Sequence, residues 1–161
     1  MNKKEIKIEY LEFDSSSQLD IKDKELVDLA KEAVENSYSP YSNFAVGAAV
    51  RLANGKIVKG SNQENSAYPS GLCAERVALF SAGSLYPGVA IEAIAITAKT
   101  KDSIHLEPIS PCGACRQVML EYETIGKNSM KVIMHGEGDS CYVTESVKDM
   151  LPFSFIGEFL K

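Results

Sequence analysis

The sequence predicts an α/β domain in which a mixed sheet is covered by helices. Three observations predict it. Segments of helical and of strand periodicity alternate along most of the chain. Two apolar runs flank Asn54-Gly55, which marks a hairpin. Only "EGDS", residues 137–140, separates the last two strand-like runs; so short a link excludes a crossover helix, and the last strand is therefore antiparallel to its neighbour.

In chain order, residues 1–18 form a leader in which Ile6, Ile8 and Tyr10 alternate; an added edge strand and a flexible leader with chance alternation both account for that pattern. Residues 19–161 contain no internal repeat, linker or low-complexity segment and read as a single domain. Residues 23–37 place Leu26, Leu29, Ala30, Ala33 and Val34 at helical spacing, with Asp23 as N-cap. Residues 43–62 form the hairpin, and Asn54-Gly55 suits a type I′ turn. A short helix over 73–83 ends at Gly83, which suits a C-terminal cap. Residues 90–98 read as a buried strand, 112–123 as a helix opened by Pro111, and 131–136 and 141–146 as the last two strands. A helical turn over 145–151 then stops at Pro152. The sheet thus has five strands, apart from the leader.

Composition narrows the function. A chain of 161 residues, 45% hydrophobic with 6 Pro and 11 Gly, has enough apolar content for one compact core, which excludes disordered and fibrous classes. No apolar run approaches the roughly 18 residues of a membrane helix. The start "MNKKEIKIEYLEF" lacks the continuous apolar stretch of a signal peptide, so the expected compartment is the cytosol. Seventeen basic against 22 acidic residues give a net charge of −5, without a Lys/Arg cluster beyond "NKK" to track a phosphate backbone. A nucleic-acid polymer is disfavoured, and a small uncharged substrate suits the surface better. Four cysteines without an export signal read as zinc ligands, redox thiols or core residues, not as disulfides.

Two stretches carry the chemistry: "GLCAERVALF", residues 71–80, and "PCGACRQVML", residues 111–120. Both cysteine motifs fall at predicted helix starts, where free N–H groups and the helix dipole favour thiolate over thiol. Cys73, Cys112 and Cys115 can then hold zinc and leave the fourth tetrahedral position open, the arrangement of a catalytic site. Three thiolates and one Zn²⁺ sum to −1, and Arg76 or Arg116 can offset the excess. Glu75 points away from Cys73 around the helix yet can border a pocket at its start, where a carboxylate can shuttle protons beside the metal. Two rivals use the same cysteines: a structural four-cysteine zinc site completed by Cys141, which leaves Glu75 without a role, and a thiol oxidoreductase on Cys112 and Cys115, which leaves both Cys73 and Glu75 unexplained.

Cys-Ala-Glu-Arg followed by Pro-Cys-Gly-Ala-Cys-Arg-Gln resembles the zinc site of cytidine deaminases, in the version where Cys replaces the His of the His-x-Glu motif. The resemblance runs from about Tyr38 to Phe155 and implies the three-layer cytidine deaminase-like fold. "YSPYSNFAVGAAV" and "SNQENSAY" are similar to the family's nucleoside-binding segments. By that likeness Phe44 lies beside the nucleoside, Asn62 and Glu64 bind the sugar hydroxyls, and Tyr68 approaches the 5′ end. The resemblance further implies that the Ala74 N–H holds the base O2 and that the Ser110 carbonyl accepts from the amino group. "LPFSF" is similar to the family's terminal segment, whose last aromatic stacks on the base across a subunit boundary; register favours Phe155, with Phe153 the competing residue. The implied activity is hydrolytic deamination of cytidine and deoxycytidine, with one zinc ion per subunit, Glu75 as proton shuttle, and a homotetramer that shares its active sites. Pyrimidine salvage is the implied role. Deaminases of tRNA adenosine, deoxycytidylate or blasticidin-type antibiotics are the nearest alternatives within the resemblance.

Overall fold

The computed structural model describes residues 1–100 and 106–160. Its six-stranded sheet has the order β1-β6-β5-β4-β2-β3, with β1 Leu11–Phe13, β2 Phe44–Leu52, β3 Ile57–Ser61, β4 Ile91–Thr100, β5 Lys131–His135 and β6 Cys141–Thr144. Only β4 and β5 run parallel; every other pairing, including β5 with β6, is antiparallel. The crossover that a parallel pair requires is supplied by α3, Gly113–Gly126.

The sheet is buried on both faces, and alternation along the strands builds two cores. Ala49, Ala93, Ala95, Ile133 and Val143 pack against Leu26, Val27 and Ala30 of α1, Ile21–Val34. Their neighbours Ala48, Val50, Ile94, Ile96 and Val132 face the other way, onto Ala78 and Leu79 of α2, Ala74–Leu85, and Met119 and Leu120 of α3. One helix below and two above give the expected three layers. Both helices of the upper layer begin at cysteines, Cys73 capping α2 and Cys112 capping α3, so the same layer carries both motifs.

Several local expectations change. The sheet gains a sixth strand because the leader pairs with β6 at Leu11–Phe13, while Ile6, Ile8 and Tyr10 precede that strand and stay exposed. Asp20, not Asp23, caps α1, its carboxylate accepting the Asp23 N–H at 2.9 Å. Asp23 is buried instead, paired with Arg51 at 2.9 Å and Lys131 at 2.7 Å; a buried carboxylate needs such partners. The hairpin turn is not type I′. The Gly55 N–H bonds the Leu52 carbonyl at 2.9 Å and only Gly55 is left-handed, the pattern of a three-residue loop closed by an αL glycine. Gly83 lies inside α2, which continues to Leu85; a Cβ at Gly83 would stand 2.6 Å from the Tyr122 hydroxyl of α3, so the glycine serves helix–helix approach and not termination. The helical turn expected over 145–151 is a 3₁₀ turn, Val147–Met150, ending before Pro152, and a further 3₁₀ turn, Gly157–Leu160, follows it.

Candidate active site

The Sγ atoms of Cys73, Cys112 and Cys115 all lie within 4.8 Å of one another, and those of Cys112 and Cys115 are 3.5 Å apart. Zinc–thiolate bonds of about 2.3 Å in a tetrahedron require sulfur–sulfur separations of about 3.8 Å, so the three residues present fit a zinc ion. Among the described residues no fourth His, Cys, Asp or Glu joins the cluster. Cys141 is buried on β6, outside it, which removes the four-cysteine site.

The charges around the sulfurs are arranged to match. A hydrogen bond from the Cys115 thiol, and then the Arg76 guanidinium at 3.7 Å, hold the Cys73 thiol well below its ordinary pKa. That same hydrogen bond, together with burial and the Glu75 charge, pushes the Cys115 thiol up. Thiols bind zinc as thiolates, so metal binding at the cluster would be coupled to proton release. Arg116 does not share in offsetting the thiolates: its Nε donates to the Pro111 carbonyl at 2.9 Å and its Nη1 to the Met150 carbonyl at 3.0 Å. It ties the loop before Cys112 to the 3₁₀ turn near the C-terminus.

Glu75, the second residue of α2, is 4% exposed and lines the same cavity as Cys73 and Cys112. Burial pushes its carboxyl pKa up, the Cys73 charge adding to the effect. A buried carboxyl beside a metal cluster can both accept and return a proton.

The cavity holds about 720 Å³, and its lining includes Phe44, Asn62, Glu64, Tyr68 and Ser110 from the sequence expectations. Phe44 opens β2. Asn62 follows β3 and is largely buried, its Oδ1 accepting from Ser37 Oγ and from the Val46 N–H at 2.8 Å and its Nδ2 donating to the Phe44 carbonyl at 2.8 Å. These bonds leave one amide hydrogen for a ligand. Tyr68 is mostly exposed at the mouth, edge-on to Tyr41 with centroids 5.9 Å apart. Ala74 is fully buried; as the first residue of α2 its N–H has no partner within the helix.

Phe155 is not brought to the cavity. Its carbonyl accepts from Gln117 Nε2 at 2.8 Å, its ring packs against Phe159, and it remains more than half exposed; Phe153 is almost fully exposed. Sequence reasoning passed over Tyr41 and Ser42, which hold the Glu64 carboxylate through their N–H groups and the Ser42 hydroxyl. The only signal was their place in "PYSNF", a loop whose fold-back onto residues 62–64 local sequence does not reveal.

Residues 20–131 match the family described as the cytidine and deoxycytidylate deaminase zinc-binding region. The chain is 42% identical over 134 residues to a cytidine deaminase of Halalkalibacterium halodurans, covering 81% of this chain and 93% of that one. It is 47% identical over 100 residues to a cytidine deaminase of Sporosarcina psychrophila, covering 62% and 68%. A crystal structure of cytidine deaminase from Burkholderia pseudomallei superposes with TM-score 0.71 at 44% identity, covering 81% of this chain and 97% of that one. Another, from Mycobacterium tuberculosis, gives TM-score 0.64 at 29% identity, covering 85% and 99%. With a three-thiol metal site beside a cavity that a buried carboxylate lines, this chain belongs to the cytidine and deoxycytidylate deaminase zinc-binding family.

Proposed function

We propose that this chain catalyses hydrolytic deamination of cytidine and deoxycytidine, giving uridine or deoxyuridine and ammonia. The observation that carries the reading is Glu75, a carboxylate buried in the cavity beside Cys73, Cys112 and Cys115. Zinc held by Cys73, Cys112 and Cys115 would supply Lewis acidity, making a water molecule a nucleophile at neutral pH. Glu75 takes a proton from that water and delivers it to N3 of the base while C4 is attacked. Glu75 then takes the proton of the new C4 hydroxyl and passes it to the departing amino group, which leaves as ammonia. Arg76 balances the excess thiolate charge throughout.

Within the cavity, the Ala74 N–H holds the base O2, the Ser110 carbonyl accepts from the 4-amino group, Phe44 covers the base, Asn62 and Glu64 bind the sugar hydroxyls, and Tyr68 stands near the 5′ end. Among the described residues lining the cavity, Arg76 is the only cation, and its guanidinium is engaged with Cys73. None of these described lining residues offers a free cation for a phosphate, which favours free nucleosides over nucleotides. Phe155 lies outside its own cavity and exposed, consistent with a homotetramer in which it completes a neighbour's site; sedimentation of the zinc-loaded enzyme reads the copy number. The reading takes residues 1–18 as a leader to one domain over 19–161, and a cytoplasmic place in pyrimidine salvage. Among the described residues no helix is long and apolar enough to cross a membrane.

One assay tests the activity: ammonia release from cytidine, deoxycytidine, their monophosphates and adenosine. Turnover of the free nucleosides is expected; failure on both defeats the reading.

A further inference from the structure

We propose that Ser42 is a positioning residue for sugar recognition: its hydroxyl accepts the Phe44 N–H and donates to Glu64, and so aims that carboxylate at a sugar hydroxyl in the cavity. The proposal rests on the nucleoside reading above.

A carboxylate offers about four acceptor sites. Oε2 receives the Tyr41 N–H at 2.9 Å and the Ser42 N–H at 3.3 Å, while Oε1 receives the Ser42 hydroxyl. Three sites are filled from the loop side, and the remaining capacity, on Oε1, serves the cavity that Glu64 lines. The Ser42 hydrogen bond is also the largest influence holding the Glu64 carboxyl below its ordinary pKa, so the group is ionised and acts purely as an acceptor at neutral pH.

The Ser42 hydroxyl is itself oriented. It accepts the Phe44 N–H at 3.0 Å, which turns its own hydrogen toward Glu64 and links the residue beside the base to the residue at the sugar. A short side chain with an acceptor oxygen reaches the backbone two residues on, and a hydroxyl can donate as well. The chain reverses there through Asn43, which is left-handed at φ 55°.

The loop is also held by bonds that do not involve this hydroxyl. The Tyr38 N–H bonds the Asn62 carbonyl at 3.0 Å, the Glu64 N–H bonds the Tyr38 carbonyl at 2.8 Å, and the Asn62 amide braces Phe44 and Val46. Removal of the hydroxyl therefore frees Oε1 of Glu64 while the backbone stays laced. The expected loss concerns ligands that carry a sugar hydroxyl.

The test compares wild type, Ser42→Ala and Ser42→Thr, all zinc-loaded, by calorimetric binding of uridine and of 2′,3′-dideoxyuridine and by kcat and KM on cytidine. In Ser42→Ala, uridine affinity should fall about tenfold, the scale of one hydrogen bond to a charged group, and KM for cytidine should rise in step while kcat falls less than about threefold. Dideoxyuridine, which has no hydroxyl for Glu64, should bind both forms alike, and Ser42→Thr should recover most of the uridine affinity. Equal losses for the two ligands would make Ser42 a loop brace, and unchanged uridine binding would make it a bystander; either overturns the proposal while leaving the nucleoside reading intact. A wild-type protein that binds no uridine and releases no ammonia from cytidine overturns both.

Discussion

Gly60 of β3 and Ala74 at the head of α2 meet backbone to backbone. A Cβ on Gly60 would stand 2.6 Å from the Ala74 carbonyl oxygen and 2.4 Å from the Ala78 nitrogen. No side chain fits between strand and helix at this point. The contact sets how deeply the start of α2 sits on the sheet, and with it the height of Cys73 and Glu75 beside Cys112 and Cys115.

Gly60→Ala should therefore lift the first turn of α2. Overpacking of this kind costs about 1–3 kcal/mol, and zinc content and deaminase activity should fall with stability. Gly157→Ala, where nothing lies within 4 Å, is the control and should stay within about 0.5 kcal/mol. Thermal unfolding and metal analysis on the two variants measure the difference; a Gly60→Ala protein with wild-type stability and zinc would show that α2 is seated by other contacts.

Glu75→Gln keeps the shape of the side chain but cannot carry the proton. Deamination of cytidine should drop by about 10²–10⁴ while zinc remains bound. A variant that keeps activity within about tenfold of wild type, with its metal in place, refutes the shuttle role.

The four cysteines should separate into two classes. Cys73→Ser, Cys112→Ser and Cys115→Ser should each lower zinc stoichiometry and activity, because each removes one of three donors. Cys141→Ser should keep both, since this thiol is buried on β6 and its pKa is pushed up to about 11 by burial, away from the cluster. Loss of zinc in Cys141→Ser, or retention of full zinc in Cys73→Ser, contradicts the assignment.

Acid should loosen the leader. Asp139 accepts from the hydroxyls of Ser15 and Ser16 and contacts His135 and Lys31 at 3.2 Å each, and these groups hold its carboxyl below its ordinary pKa. A depressed carboxyl stabilises the fold above its unfolded value of about 3.9 and loses that contribution as the pH falls below it toward the folded value. In urea unfolding, Asp139→Asn should thus lag wild type most at pH 6 and less at pH 3. A gap that stays constant or widens in acid reverses the expected sign.

Much of the active site was legible in the sequence because its chemistry is compressed into two short motifs. Spacing alone put Cys112 and Cys115 one turn apart at a helix start, and Cys73 with Glu75 at another, since helix geometry relates residues three or four apart wherever the helix lies. The strands were legible because their apolar runs are continuous. Less legible were choices made between local equals: Asp20 over Asp23 as cap, or the turn at Asn54-Gly55. Asp23 lost the cap because Arg51 and Lys131, distant in sequence, surround it.

The sequence by itself determined the candidate thiols for zinc, the candidate proton carrier, and the α/β alternation that brings two helices to one layer of a sheet. Only the tertiary structure decided that Cys141 stands apart, that Arg76 and not Arg116 faces the thiolates, and that Ser42 grips Glu64 from a loop folded back onto residues 62–64. The reason is physical. Residue type and local spacing specify what a group can do and which way it points on its own element, whereas the partners of a charge or hydroxyl are set by packing between segments separated in the chain.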